Sequence, residues 1–156
     1  MDLKELYQEI VLDHGKNPRN KKKCKDFNKE AEGHNPLCGD KVHVFLKLNK
    51  EKKVEDISFE GEGCAISIAS ASIMTETIKG KEFNVAKKIL EHFLNMLKEG
   101  SKLSINSLSE DQNTTMMSLS GVNQFPMRVK CATLAWHTFM YAAEGKKETV
   151  NTEKAD

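Results

Sequence analysis

No stretch of this 156-residue chain is apolar for long enough to span a membrane. Its opening, Met1-Asp2-Leu3-Lys4-Glu5, is charged where a secretory leader would be apolar. Aromatic residues make up 6% of the sequence, too few to lay out a base-stacking surface. An excess of either charge is missing too: Lys and Arg number 24, Asp and Glu 23, and the net charge is +1. Nothing global therefore draws the chain to nucleic acid or to an anionic membrane. Gly61-Glu62-Gly63 does not begin a dinucleotide fingerprint, because Ile66 stands where the third glycine belongs. The four cysteines contain no Cys-x-x-Cys pair, so spacing by itself does not announce a metal site.

A chain of this length can bury a core in one domain without disulfide staples, and residues 1–145 read as that domain. A cytoplasmic location is expected, where thiols stay reduced and cysteines serve as ligands or nucleophiles rather than bridges. Leu3, Leu6, Tyr7, Ile10, Val11 and His14 recur at helical spacing, and Gly15 with Asn17-Pro18 stops that helix. Residues 15–37 carry no period and read as a long loop containing Lys21-Lys22-Lys23, a solvated basic run, and Cys24, an incidental surface thiol. Val42, Val44, Leu46 and Leu48 alternate along one strand, and Val54, Ile57 and Phe59 suit a second across a polar turn. Cys64-Ala65 is read as a short third strand. Three helices follow: Ile66 to Ile78, rich in Ala and Ser; Phe83 to Leu97, ended by Gly100; and one begun by Pro126 that carries Val129, Ala132, Trp136 and Phe139. Between the last two, residues 101–124 are polar and read as a loop with one short helix. Beyond Gly145, residues 146–156 read as a flexible tail. The fold class is α+β, a small antiparallel three-stranded sheet packed against several helices.

The chain is organised around Asn35-Pro36-Leu37-Cys38-Gly39-Asp40. Proline stiffens one side of Cys38 and glycine frees the other, so the thiol and the Asp40 carboxylate can turn towards one point. Cys64, in Gly61-Glu62-Gly63-Cys64-Ala65, and Cys131, in Arg128-Val129-Lys130-Cys131, have no disulfide partner that the count explains. Two readings stand on the residues alone. Cys64 and Cys131 are ordinary small buried residues, or they join Cys38 and Asp40 around one metal ion of the kind zinc represents. In the second reading the site carries a charge near −2. Arg128, three residues before Cys131 on the expected helix, is placed to compensate it or to hold an anionic sulfur species. Cys38, on its loop, is the thiol freest to leave and attack sulfur. Four protein ligands leave no position for a hydrolytic water. His14, His34, His43, His92 and His137 are read as hydrogen-bonded or solvated residues rather than ligands.

These motifs, together with Cys131-Ala132-Thr133-Leu134-Ala135-Trp136 and the opening Leu6-Tyr7…Asp13-His14…Asn17-Pro18-Arg19-Asn20, resemble the SufU proteins. Those belong to the wider NifU N-terminal/IscU group of iron–sulfur cluster assembly. The likeness runs over roughly residues 3–145 and decides between the two readings of the cysteines. It implies zinc held by Cys38, Asp40, Cys64 and Cys131. It also implies a sulfurtransferase-like role in which Cys38 accepts persulfide sulfur from a pyridoxal-phosphate cysteine desulfurase of the SufS kind, with Arg128 supporting the site or the partner contact. Downstream iron–sulfur assembly machinery would take the sulfur on. Where the IscU branch has a histidine before its third cysteine, this chain has Lys130. Residues 101–124 look like the insertion that separates SufU from IscU. The alternative implied by the same group is a scaffold carrying iron or a two-iron two-sulfur cluster on the same ligands.

Overall fold

The computed structural model describes residues 2–153. An α+β fold is observed, but its sheet has four strands in the order β3-β2-β1-β4 rather than the expected three. Two strands stand where alternation put them: β2, Asp40–Leu48, and β3, Val54–Glu62, pair antiparallel. The third strand is not Cys64-Ala65. It is β1, Lys29–Asn35, inside the segment read as a loop, and it pairs antiparallel with β2.

The reason β1 hid is steric. Only Ala31, Gly33 and Asn35 of this strand face inwards. A β-carbon on Gly33 would overlap Thr138 Oγ1 and crowd Leu134 Cδ1, both on the last helix. Where a helix lies that close to a strand, bulk cannot alternate, and the sequence shows charge and small residues instead of a period. The second correction lies in the expected tail. Val150–Asn151 forms β4, a two-residue strand parallel to β1 at Gly33 and His34. Val150 and Thr152 are buried. The last residues of the expected tail, 154–156, lie outside the described residues.

The helices follow the glycine and proline signals. The N-terminal segment runs as α1, Leu3–Leu6, a π-turn over Tyr7–Val11, and α2, Leu12–Lys16, so it passes through Gly15 and stops at Asn17-Pro18. A glycine suits that place because α2 lies against the start of α3, with Ala65 in van der Waals reach of a β-carbon there. Next come α3, Ala65–Ile78, and α4, Phe83–Glu99, the latter closed by Gly100 at φ 70°. Residues 101–124 hold α5, Glu110–Met117, which opens with a Ser109/Gln112 capping box, and a 3-10 turn over Ser120–Gln124. The last helix is α6, Pro126–Glu144, with proline in its first turn. Its middle is buried on nearly every side, between the sheet and helices α3 and α4. The small side chains of α3 permit that approach. Ser70 Oγ donates to the Ala132 carbonyl, and Trp136 Nε1–H donates to Ser70 Oγ at 3.0 Å. Trp136 also stacks on Phe93 of α4, ring centres 4.5 Å apart. Among the described residues no helix is long and apolar enough to cross a membrane.

Cys24 is not a surface thiol: it is 3% exposed. Its segment runs along the outer edge of β3, where Asn20 C=O accepts from Phe59 N–H, and its own N–H donates to Ser58 Oγ at 2.9 Å. Without a period in that segment, burial was illegible.

His14 pins α2 to α3. Its Nδ1 lies 2.8 Å from Ser72 Oγ, which also accepts the Arg19 backbone N–H. That N–H leaves the Ser72 proton to point at the imidazole, the arrangement a neutral ring wants. Burial and then the Arg19 charge push His14 down to about 4. The folded pKa lies below the unfolded one, so the contribution is complete above the unfolded value and is lost as pH falls towards 4. Between pH 7 and pH 5, metal-free protein is expected to lose roughly 2 kcal/mol in urea unfolding. H14L is expected to lose markedly less over the same interval. A slope unchanged in H14L would show that His14 is not its source.

Candidate metal centre

Three chain segments converge at one end of the sheet. Asn35 pairs with Asp40, so Pro36-Leu37-Cys38-Gly39 forms the tip of the β1–β2 hairpin. Gly39 takes φ 70°, a left-handed turn that other residues resist, and this places Cys38 over the mouth of the sheet. Asp40 then begins β2 with no exposed surface at all. Cys131 arrives on the second turn of α6 and is also buried. One ligating atom from each of Cys38, Asp40 and Cys131 lies within 4.8 Å of the others.

Cys64 comes from a different local structure than expected. It is the N-cap of α3, and its sulfur accepts the Ser67 N–H at 3.4 Å. Its own N–H donates to Asp40 Oδ1 at 2.8 Å, and its sulfur stands 3.8 Å from Asp40 Oδ2. The preceding Gly63 makes this fit possible. It sits at φ 149°, and a β-carbon there would overlap the Asp40 carboxylate.

The protonation of the sulfurs follows from this crowding. The Cys131 thiol, hydrogen-bonded to Cys64 and buried, holds its proton far above the ordinary thiol range. Cys64 is pushed the other way, down to about 7, by the same Cys131 hydrogen bond and by the amide donors at the start of α3. Cys131 Sγ also lies 3.3 Å from Cys38 Sγ. Cys64 stands beside Asp40 but outside the group of three whose ligating atoms are mutually within 4.8 Å, and groups this close share protons unless a cation takes their place. That donor set suits zinc, which accepts thiolate and carboxylate in a tetrahedral shell.

Asn35 was legible as part of the hairpin motif but not as a partner of these groups. It is wholly buried, and its Nδ2 donates to Asp40 Oδ2 at 3.3 Å and to Cys131 Sγ at 3.4 Å. Arg128 is exposed, its guanidinium over the Phe125 ring at 4.5 Å. Among the described residues it makes no ion pair. Lys130, where the related branch has histidine, turns outwards and pairs with Glu153 at 2.7 Å. Beside the hairpin tip and at the start of α6, Leu37, Phe125 and Met127 are large exposed apolar residues.

The NifU-like N-terminal domain, as a family model, matches residues 6–132. The chain belongs to that family. It is 42% identical to the zinc-dependent sulfurtransferase SufU of Bacillus subtilis, over 86% of this chain and 87% of that one. The iron–sulfur cluster assembly scaffold protein IscU of Streptococcus pyogenes is 36% identical over 90% and 84%. The crystal structure of a SufU from Fervidobacterium islandicum is similar at a TM-score of 0.75 and 34% identity, covering 89% of this chain and 97% of that one. Membership in the family and the SufU-like fold agree with the resemblance read from the motifs.

The two glycines of the site make a paired test. Gly63→Ala is expected to displace Asp40 and lower zinc affinity by about tenfold or more, the scale on which groups that orient ligands act. A β-carbon on Gly39 meets nothing within 4 Å, so Gly39→Ala bears only backbone strain, about 1–2 kcal/mol. Competition against a chromogenic chelator reads both, and equal affinities for the two variants would rule out the Gly63–Asp40 fit as the cause.

Proposed function

We propose that the protein is a zinc-dependent sulfur acceptor in iron–sulfur cluster assembly. The observation that carries this is the convergence of Cys38, Asp40 and Cys131 with unequal exposure: Cys131 is buried and Cys38 exposed, and the half-buried Cys64 stands beside Asp40. The reading assigns zinc to Cys38, Asp40, Cys64 and Cys131. Bound zinc would keep the sulfurs ionised at neutral pH and supply the charge that lets three thiolates and a carboxylate share one volume.

The protein's own residues then divide the work. Asp40, held by the Cys64 N–H and the Asn35 amide, stays fixed at the head of β2. Cys64 caps α3 and Cys131 lies within α6, whereas Cys38 rides on the exposed tip of the hairpin. The Cys38 thiolate attacks the outer sulfur of a persulfide presented by a partner. A new S–S bond forms at Cys38, the partner's S–S bond breaks, and its cysteine leaves as a thiolate. The transferred sulfur carries its proton with it as Cys38–S–SH, so the step balances without an external oxidant. The donor class is a pyridoxal-phosphate cysteine desulfurase of the SufS kind, acting in the reduced cytoplasm. Arg128, over the ring of the exposed Phe125, supports the approach of that partner.

The similarity to IscU keeps a scaffold reading in view, with iron or a two-iron two-sulfur cluster on the same residues. Metal analysis of protein purified without added metal, alongside desulfurase turnover with and without the protein, separates the two. Stoichiometric zinc and a stimulated desulfurase are expected, with stimulation falling to background in C38A. Bound iron and sulfide beside an unstimulated desulfurase would overturn the acceptor reading in favour of the scaffold.

A further inference from the structure

Asn35 has a second connection. Its Oδ1 accepts the Thr152 hydroxyl at 3.0 Å, and the Thr152 backbone N–H donates to the His34 carbonyl at 3.2 Å. Thr152 is 4% exposed and Asn35 not exposed at all, so water does not serve either end of the amide. A carboxamide has nearly the same shape after a half-turn, and its partners decide which end faces which way. The Asp40 carboxylate can only accept, which turns the N–H end towards it, and the Thr152 hydroxyl, free to rotate, donates to the carbonyl end left on the other side. With its carbonyl end anchored there, the amide keeps its N–H end on Asp40 and Cys131. Removing the hydroxyl leaves a buried carbonyl oxygen without a donor and the amide held at one end only.

The consequence for the sulfurs is unequal. An N–H donated to a thiolate lowers its basicity and its appetite for electrophiles. Cys131 receives that N–H, whereas the exposed Cys38 receives no amide donor among the described residues. The segment bearing Thr152 is held by β4 against β1 and by the Lys130–Glu153 pair on the other side.

We propose that Thr152 is a positioning residue of the metal centre. It anchors the carbonyl end of Asn35 so that the amide holds Asp40 and Cys131 fixed and unreactive while Cys38 does the exchange. This rests on the zinc reading above and adds a residue that lies beyond the matched span of the family model, which ends at residue 132.

The test uses the full chain, zinc-loaded, as wild type, Thr152→Val and Thr152→Ser. Valine keeps the shape and removes the hydroxyl; serine keeps the hydroxyl. Zinc affinity is read by chelator competition, and the reacting cysteines by iodoacetamide labelling and peptide mass analysis at a temperature where all three are folded. In T152V the affinity is expected to fall about tenfold, with Cys131 labelled alongside Cys38. T152S is expected to restore both the affinity and labelling confined to Cys38. Wild-type affinity and labelling in T152V, or a T152S as impaired as T152V, would overturn the assignment while leaving the zinc reading standing. A wild type that takes up no zinc in the same titration would sink the zinc reading itself, and the positioning role with it. Should T152V not fold, the Asn35 side-chain amide protons of the wild type decide by NMR. Slow exchange with solvent supports the clasp, and exchange at the rate of a free amide overturns it.

Discussion

A carboxylate without access to water must be answered by donors, and the burial of Asp40 sets terms for everything around it. Its two oxygens are met by the backbone N–H of Cys64 and the side chain of Asn35. The first of these fixes where α3 begins, because Cys64 is also the cap of that helix. The second fixes the end of β1 and, through the Cys131 sulfur, the position of α6. One side chain thus ties together the three segments that bring sulfur to the site. The absence of a side chain at Gly63 is part of the same constraint, since the carboxylate occupies the space a β-carbon would take.

The packing of α6 against the sheet is the counterpart at the scale of the fold. Small residues along α3 and the inner side of β1 let the helix sink deep enough for Cys131 to reach the hairpin tip. The aromatic contact between Trp136 and Phe93 closes the far side. Precision at the mouth of the sheet is therefore inherited from a close-packed interior, and the hairpin tip carries Cys38 out to the surface.

Much of this was legible in the sequence wherever a residue's local chemistry decides its conformation. Gly100 and Pro126 mark helix ends because one tolerates left-handed backbone and the other lacks an N–H. The alternation of Val42, Val44 and Leu46 gave β2 because one face of that strand is buried against helices. The motif around Cys38 drew attention to the residues that the structure brings together, and the family likeness followed from it. What stayed hidden depends on distant partners. Lys29–Asn35 looks polar because its inner face meets a helix and not a cavity for large side chains. Cys64 reads equally as strand or cap until Asp40 is seen opposite its N–H. Cys24 lies in a segment without a period, and only the edge of β3 explains its burial. Thr152 carries no local signal, since its partner is 117 positions away.

The inner face of β1 sets a tolerance unlike that of an ordinary core strand. Ala31, Gly33 and Asn35 are held by volume and by hydrogen bonds, so hydrophobicity is the wrong measure of what can replace them. A methyl group, harmless or helpful in most interiors, is an intrusion at Gly33, while the outward Glu30, Glu32 and His34 face no such limit. The most hydrophilic strand of the sheet is also its least elastic. A library that randomised it would return a comb, open at every second position and shut at those between.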